Sequence, residues 1–305
     1  MMMQSLLSGI AIGSLYVLMS LGFTIQLGIA NIVNAAHGAF MVAGMYVVYY
    51  CVSRLGWNPY AGVLLSTVVV GVGSLVVYKL VMESARKATG DRYQLLYSML
   101  LLTALSVLFQ LLFGGELRGL NEPVRSWRIG NGVITDPQII AIVVANTVAF
   151  GFYCVFRFTT VGKILRICGK YEQGAKSIGV PVEAVFAGVF VLGSALAGLA
   201  GGLAMTYLPA QPYEGLDFVV IAFIVSIAAR LDFLASIGVG LLYGVSQTVL
   251  NDVAGPGTAA VLTLSIFLVL LGAEHMIATA RDVGRRGRFA QRLLRRSSDA
   301  SGVAR

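Results

Sequence analysis

Three polar side chains stand close together in an otherwise apolar stretch near the N-terminus: Asn31, Asn34 and His37. At about 100° per residue, a continuous helix would present all three within one sector. Two amides and an imidazole can hydrogen-bond a polar solute, but at membrane depth they need partners or a wet cavity. Two interpretations are therefore open: with Gly38 they line a solute path, or they hold neighbouring helices together. Gly28 and Gly38 bracket the group, which suits a bent or locally unwound segment.

The second distinctive stretch, from Val161 to Pro181, is polar and lies between two apolar blocks. Its net charge is positive, which marks a cytoplasmic loop if the flanking blocks cross a membrane. The charge comes from Lys163, Arg166, Lys170 and Lys176. An ordinary solvated basic loop is the alternative interpretation.

Residue spacing inside this stretch predicts a short helix that lies flat at the membrane surface. Ala175 follows Glu172 by three residues, and Ile178 follows Ala175 by three, which is a helical repeat. Gly179 can end such a helix with a positive φ, and Pro181 cannot continue it. A helix held between two membrane spans acts as a lever, because a force on it moves both spans.

A third pattern is a stripe of small residues in the apolar block that follows. Ser194, Gly198 and Gly202 recur at four-residue spacing, so they lie on one face of a helix. Small residues at such a spacing allow two helices to approach closely in a membrane. Ordinary packing within the chain is the simpler interpretation of most glycines in this block.

Sequence patterns for enzyme chemistry are absent. Arg157 stands where a Walker A loop ending in Gly162-Lys163 would need its first glycine, and neither HExxH nor GxSxG occurs. The two histidines and three cysteines form no metal-binding or disulfide pattern. We therefore predict no enzyme activity, no metal and no cofactor.

Acidic residues within the apolar blocks are few. Glu214 and Asp217 are placed by the sequence at an outer edge, and Glu274 at an inner edge. Carriers driven by protons or sodium usually need carboxylates at membrane depth. The chain is therefore predicted to obtain its energy from elsewhere.

Composition places these features in a membrane. Hydrophobic residues make up 57% of the 305 residues and charged residues 12%, and the mean hydropathy is +0.83. A soluble domain could not cover so much apolar surface. The basic pI near 9.5 reflects loop and tail residues that fix topology, so nucleic acid is not the predicted partner.

Apolar runs of about 20 residues, enough to cross the bilayer, set the predicted fold class. It is an all-α polytopic membrane protein with about eight transmembrane helices, a short or re-entrant segment and the cytoplasmic helix. The apolar blocks are 6–29, 32–52, 60–82, 95–113, 139–156, 184–207, 218–229, 235–250 and 258–277. The block at 218–229 is short enough to be re-entrant.

Lysine and arginine are concentrated in alternate loops and in the C-terminal tail. This bias places the tail in the cytoplasm and the N-terminus outside. We divide the chain into a transmembrane domain, residues 1–280, and a basic cytoplasmic tail, residues 281–305, which is too polar to bury a core and suits contact with membrane lipid.

Two distant motifs resemble one protein family, the permease subunits of branched-chain amino acid ABC importers of the LivH type. The first comprises Gly13-Ser14-Leu15-Tyr16, Leu21-Gly22-Phe23-Thr24, Gly28, Asn34-Ala35-Ala36-His37-Gly38 and Gly44. The second comprises Gly162-Lys163, Arg166-Ile167-Cys168, Ala175, Ile178-Gly179-Val180 and the Gly/Ala-rich run from Phe190 to Gly202. The motifs agree with the family pattern in order and spacing.

The resemblance implies a heteromeric importer in a bacterial inner membrane. Its other members would be a second related permease, two cytoplasmic ATP-binding subunits and a periplasmic substrate-binding protein. The basic stretch would be the coupling helix that docks into the ATPase subunit. The residues assigned to this contact are Lys170, Glu172, Gly174, Ala175, Ile178 and Gly179. The substrate would be a branched-chain amino acid or a similar small polar or aromatic solute.

The chain departs from the family pattern at three places. Ala39 stands where the family usually has an acid after His-Gly, and the turn from Ala228 to Ser236 lacks the usual Gly-Gly-x-Gly-Ser. The usual Met-Pro-x-Gly after the last span is replaced by Gly272-Ala-Glu-His275. An autonomous channel or secondary carrier for urea or an amide is the alternative function.

Overall fold

A computed structural model describes residues 2–84, 93–255, 257–269 and 272. The predicted tail, residues 281–305, the charged residues between 85 and 92, and the substituted motif at 273–275 lie outside the described residues. The chain divides into two compact units, Met1–Thr263 and Leu264–Arg305. The candidate site residues that the structure describes all lie in the first unit.

Helices account for most of the described residues. In chain order they are α1 (Met2–Ala30), α2 (His37–Leu55), α3 (Pro59–Val77, continued by a π-helical turn at Tyr78–Met82), α4 (Gln94–Phe113), α5 (Asp136–Phe158), α6 (Thr160–Lys170), α7 (Glu172–Ser177), α8 (Val182–Met205), α9 (Gly215–Ala228), α10 (Phe233–Ala254) and α11 (Gly257–Val269). Strands β1 (Ser126–Ile129) and β2 (Gly132–Thr135) form an antiparallel hairpin before α5. The hairpin was not predicted.

The described helices confirm the all-α polytopic fold class. Seven of them are long and apolar enough to cross a membrane: α1, α2, α3 with its π-helical turn, α4, α5, α8 and α10. The two shorter apolar helices are α9 and α11. Helix α9 matches the predicted short segment, and α11 covers the described part of the last predicted block.

Helix α1 is the centre of the packing. It packs most extensively against α8 and α10, and less extensively against α5 and α9. Helix α1 lies so close to α8 and α10 that glycines at these contacts lie directly against the backbone of the neighbouring helix. A Cβ on Gly193 would lie 2.6 Å from the Gly22 carbonyl oxygen, and one on Gly13 would lie 2.9 Å from Cα of Leu241.

The small-residue stripe of α8 lies against two other helices. Ser66 of α3 donates to the Gly198 carbonyl at 3.2 Å, and a Cβ on Gly202 would lie 3.2 Å from Cα of Val63. On α2, Gly44 lies against the backbone of Gly198. Ser194 faces α1 instead and takes part in a buried polar network.

Candidate functional site

A buried polar network joins α1, the chain after it, and α8. The Gln26 side-chain amide donates to the Phe190 carbonyl at 2.9 Å and to the Ser194 hydroxyl at 3.1 Å. Asn34 in turn donates to the Gln26 carbonyl oxygen at 3.1 Å. Gln26, Asn34 and Ser194 are each fully buried. The network therefore ties the segment after α1 to α8 in a place that water does not reach.

His37, the first residue of α2, makes a second contact with α1. Its Nε2 lies 2.9 Å from the Met19 carbonyl oxygen, and the edge of its ring meets Phe23 with centroids 5.8 Å apart. A carbonyl only accepts, so we assign the proton to Nε2. His37 Nδ1 and Asn34 Oδ1 have no hydrogen-bond partner in the described part of the chain, so each can still accept.

The segment between α1 and α2 is unwound. Helix α1 ends at Ala30 because Asn31 adopts a left-handed conformation with φ of 52°, and the Ile32 amide closes the end by donating to the Gln26 carbonyl at 3.1 Å. Asn31 is exposed, whereas Asn34 and His37 are fully buried. A continuous helix would place the three side chains on one face. Because the helix is broken at Asn31, they do not share a face.

Helix α2 begins inside the bundle instead of at its edge. Its first residue, His37, lies beside Met19, which is roughly 16 Å along the α1 axis from Ala30 at 1.5 Å per residue. The chain thus turns back into the bundle after Asn31. Gly38, the fourth candidate path residue, follows directly.

Helix α9 begins beside the start of α2. A Cβ on Gly38 would collide with the Gly215 carbonyl, and one on Gly215 would lie 3.1 Å from the Ala39 amide nitrogen. The N-termini of α2 and α9 therefore meet side by side within the bundle. Glu214 and Asp217, which the sequence placed at an outer edge, stand at this junction.

The connection from Thr206 to Glu214 brings the chain back from α8 to the start of α9. It is irregular, with one two-way backbone pairing between Ala210 and Arg118 at 2.8 and 3.1 Å.

The basic stretch forms two helices where one was predicted. Helix α6 is capped by the Thr159 hydroxyl, which accepts from the Gly162 amide at 3.3 Å. Its inner face buries Leu165 and Cys168, and a Cβ on Gly169 would lie 2.6 Å from the Ile29 carbonyl oxygen. Burial raises the pKa of the Cys168 thiol. Helix α6 is therefore anchored against the end of α1.

The predicted contact residues lie on α7 and directly beside it. Ala175 is fully buried, while Ile178 at its end is 73% exposed and Tyr171 at its start 70% exposed. Lys176 pairs with Glu172 at 2.7 Å and lies 3.8 Å from Glu183. The remaining predicted residues, Lys170, Gly174 and Gly179, are exposed. Gly179 has the predicted positive φ, 82°.

A cavity of about 450 Å³ opens where α6 meets the end of α1. Its polar lining includes Arg157, Arg166 and Asp232, and the rest is mostly apolar. The turn that closes one side holds Arg230 and Leu231 at φ of 55° and 57°. This is the turn in which the family usually has glycines, so the chain keeps a glycine-like backbone there with other residues.

Comparison with known proteins defines the class. A family model described as "Branched-chain amino acid transport system / permease component" matches residues 5–273. The chain belongs to this family of transport permeases, as the two motifs indicated.

Particular relatives are distant but cover most of the chain. The permease protein LivH of the high-affinity branched-chain amino acid transport system of Escherichia coli (strain K12) is 24% identical over 295 residues, covering 88% of this chain and 92% of the relative. The corresponding permease protein BraD of Pseudomonas aeruginosa is 24% identical over 287 residues, with the same coverage. The structure "PsaBC from Streptococcus pneumoniae in complex with Fab" aligns with 88% of this chain and 90% of that one, at 15% identity and a TM-score of 0.47.

Proposed function

We propose that this chain is the permease subunit of an ABC importer and forms, with a second related permease, the path for a branched-chain amino acid or a similar small polar or aromatic solute. The observation that carries the proposal is the family match over residues 5–273. In this proposal two cytoplasmic ATP-binding subunits drive transport, and a periplasmic binding protein delivers the solute. The C-terminus lies in the cytoplasm of a bacterial cell.

Helix α7 is the proposed contact with an ATP-binding subunit. Its shape supports this role, because Ala175 fixes the helix to the protein while Tyr171 and Ile178 offer two apolar side chains to a partner. A partner subunit that covered these two side chains would remove their apolar surface from water. Helix α6, packed against the end of α1, would transmit a movement of α7 to the spans.

Reconstitution tests the proposed function directly. The chain is expressed with its neighbouring transport genes, purified, and placed in vesicles with the ATP-binding subunits. Uptake of a branched-chain amino acid is expected to require ATP and the binding protein. Uptake by the chain alone, without either, would instead establish the autonomous carrier.

Reversing the charge of Glu172 tests the coupling contact. In the Glu172→Arg variant the helix loses its ion pair with Lys176 and presents a new positive charge to the partner. We expect normal membrane insertion and a loss of about tenfold or more in transport-coupled ATPase activity, because like charges across an interface cost several kcal/mol. ATPase activity in vesicles is the measurement.

The matched control is Gln173→Arg, which adds a charge at the neighbouring exposed position without breaking the ion pair. It should reduce ATPase activity less. A Glu172→Arg complex that assembles and transports at the normal rate would rule out the assignment of α7.

A further inference from the structure

Two carboxylates stand where the N-termini of α2 and α9 meet. Glu214 is the last residue before α9 and is partly exposed, and Asp217 lies in its first turn and is exposed. Gly215, between them, contacts Ala39. In the part of the chain that the structure describes, neither carboxylate forms a salt bridge. The positive ends of two helix dipoles favour a negative charge here.

The level of these groups in the bundle excludes a lipid environment for them. Gly215 packs on Gly38, and the neighbouring His37 contacts Met19 well inside α1. The chain from Thr206 to Glu214 reaches this junction without regular structure. Irregular backbone and carboxylates at membrane depth are tolerated only where protein or a water-filled path surrounds them. Because Asp217 is exposed on the single chain, it must face such a path or another subunit.

A buried hydroxyl without a hydrogen-bond partner lies near Glu214. Tyr46 is 2% exposed, and its Oη has no hydrogen-bond partner in the described part of the chain. The hydroxyl lies within electrostatic reach of Glu214, and the Tyr46 ring stacks on Phe113 with centroids 4.2 Å apart. An unpartnered buried hydroxyl in a native protein needs an explanation, such as a water or a ligand.

Arg118 and Tyr213, which also lie near Tyr46, hydrogen-bond to backbone carbonyls at the end of α4 and just after it. The Arg118 guanidinium donates to the Phe113 carbonyl at 2.9 and 3.2 Å. Tyr213 donates its hydroxyl to the Gly115 carbonyl at 3.2 Å. Neither Arg118 nor Tyr213 uses these bonds to reach the side-chain oxygens of Glu214, Asp217 or Tyr46. Those oxygens can therefore still accept hydrogen bonds from a ligand.

We propose that Glu214 and Asp217, with the Tyr46 hydroxyl, bind the positively charged ammonium group of the transported solute at this level of the path. The proposal rests on the proposed function and adds the residues that would hold the ammonium group of a solute such as a zwitterionic amino acid. Urea, neutral amides and purely anionic acids lack that group. Ala39 stands where the family usually has an acid. The two carboxylates at the start of α9 would supply the negative charge that this position lacks here.

Transport kinetics give the first test. In vesicles that contain the complete importer, Asp217→Asn and Glu214→Gln are each expected to lower uptake of a branched-chain amino acid by about tenfold, because each removes a charge-assisted contact. The control is Glu116→Gln, which neutralises an exposed carboxylate in the loop after α4. Uptake by Asp217→Asn equal to that of the control would overturn the proposal.

Cysteine labelling gives a second test that does not depend on transport. Leu216, 48% exposed between the two carboxylates, is replaced by cysteine in a chain whose three native cysteines are changed to serine. Methanethiosulfonate reagents of opposite charge are then compared. A negative site should make the cationic reagent react about tenfold faster than the anionic one, and Asp217→Asn should reduce this ratio.

The two tests separate this inference from the function on which it rests. If the wild-type complex shows no ATP-dependent uptake, the proposed function is wrong, while labelling still reports the charge at Leu216→Cys. Equal labelling by both reagents, or no labelling, would overturn the inference even if transport is normal. Loss of assembly with the second permease in Asp217→Asn, with an unchanged labelling ratio, would overturn it too and assign the carboxylates to a subunit contact.

Discussion

Replacing Gly38 with alanine is expected to destabilise the protein more than any other single methyl addition on α2. The new Cβ would collide with the Gly215 carbonyl oxygen and lie 2.9 Å from the Val219 amide nitrogen. Both are backbone atoms of α9, so no side-chain rotation can relieve the contact. Overpacking of this kind costs about 1–3 kcal/mol, so we expect the apparent melting temperature in detergent to fall by about 2–10 °C.

Gly73→Ala is the matched control, because a Cβ at Gly73 in α3 meets nothing within 4 Å. Size-exclusion chromatography of heated, fluorescently tagged protein measures both variants. The control should elute and melt like the unchanged protein. Equal melting of Gly38→Ala and Gly73→Ala would contradict the close meeting of α2 and α9. Transport by any folded Gly38→Ala protein should also fall, because the start of α9 positions Glu214 and Asp217.

Hydropathy was sufficient to predict the class and most spans, because crossing a membrane depends on a local sum over about 20 residues. The blocks at 95–113 and 184–207 differ from α4 and α8 by no more than a few residues at each end. The short block at 218–229 was separated from its neighbour by Arg230 and Asp232. Each of these inferences used only neighbouring residues.

The depth at which a helix begins could not be predicted in the same way. Asp217 was placed at an outer edge because it precedes an apolar run, yet α9 starts beside Ala39, inside the bundle. The chain from Thr206 to Glu214 is long enough to run along the surface or to turn back. Only its packing against α2 decides between these courses, and packing involves residues far apart in sequence.

Gln26 is the site residue that the sequence analysis missed. It lies in the first apolar block among residues of the family motif, and a single amide there gives no spacing signal. Its importance comes from Phe190 and Ser194, which are more than 160 residues away and accept hydrogen bonds from Gln26 only once α8 has packed on α1. The spacing of Asn31, Asn34 and His37 was visible, but the left-handed Asn31 that separates them was not.

The basic stretch shows the same limit on a smaller scale. The repeat from Glu172 to Ile178 predicted a helix, and α7 is there. The break at Tyr171, which divides α6 from α7, has no glycine or proline to mark it. The anchoring of Gly169 against Ile29 fixes α6 in place, and the chain must then turn before α7 can begin.

Replacing Asn34 with leucine is expected to distinguish the two roles that the sequence left open for Asn31, Asn34 and His37. These roles are lining a solute path and holding neighbouring helices together. The change removes the hydrogen bond to Gln26 and leaves the buried Gln26 carbonyl oxygen without a donor. An orphaned buried acceptor costs about 1–3 kcal/mol, so the melting temperature should fall. The protein that remains folded should keep its KM for the solute, because Asn34 is fully buried and lies among protein atoms.

The double variant Gln26→Leu/Asn34→Leu provides the internal check. Replacing both partners by apolar groups removes the orphaned acceptor, so the double variant should be less destabilised than the sum of the two single changes. Asn251→Leu, the same substitution at an exposed position near the end of α10, is the control for added apolar surface. Normal melting of Asn34→Leu together with a KM raised about tenfold would contradict the packing role. It would place Asn34 in contact with the solute, and the start of α2 would then belong to the path itself, with Glu214 and Asp217 facing it from α9.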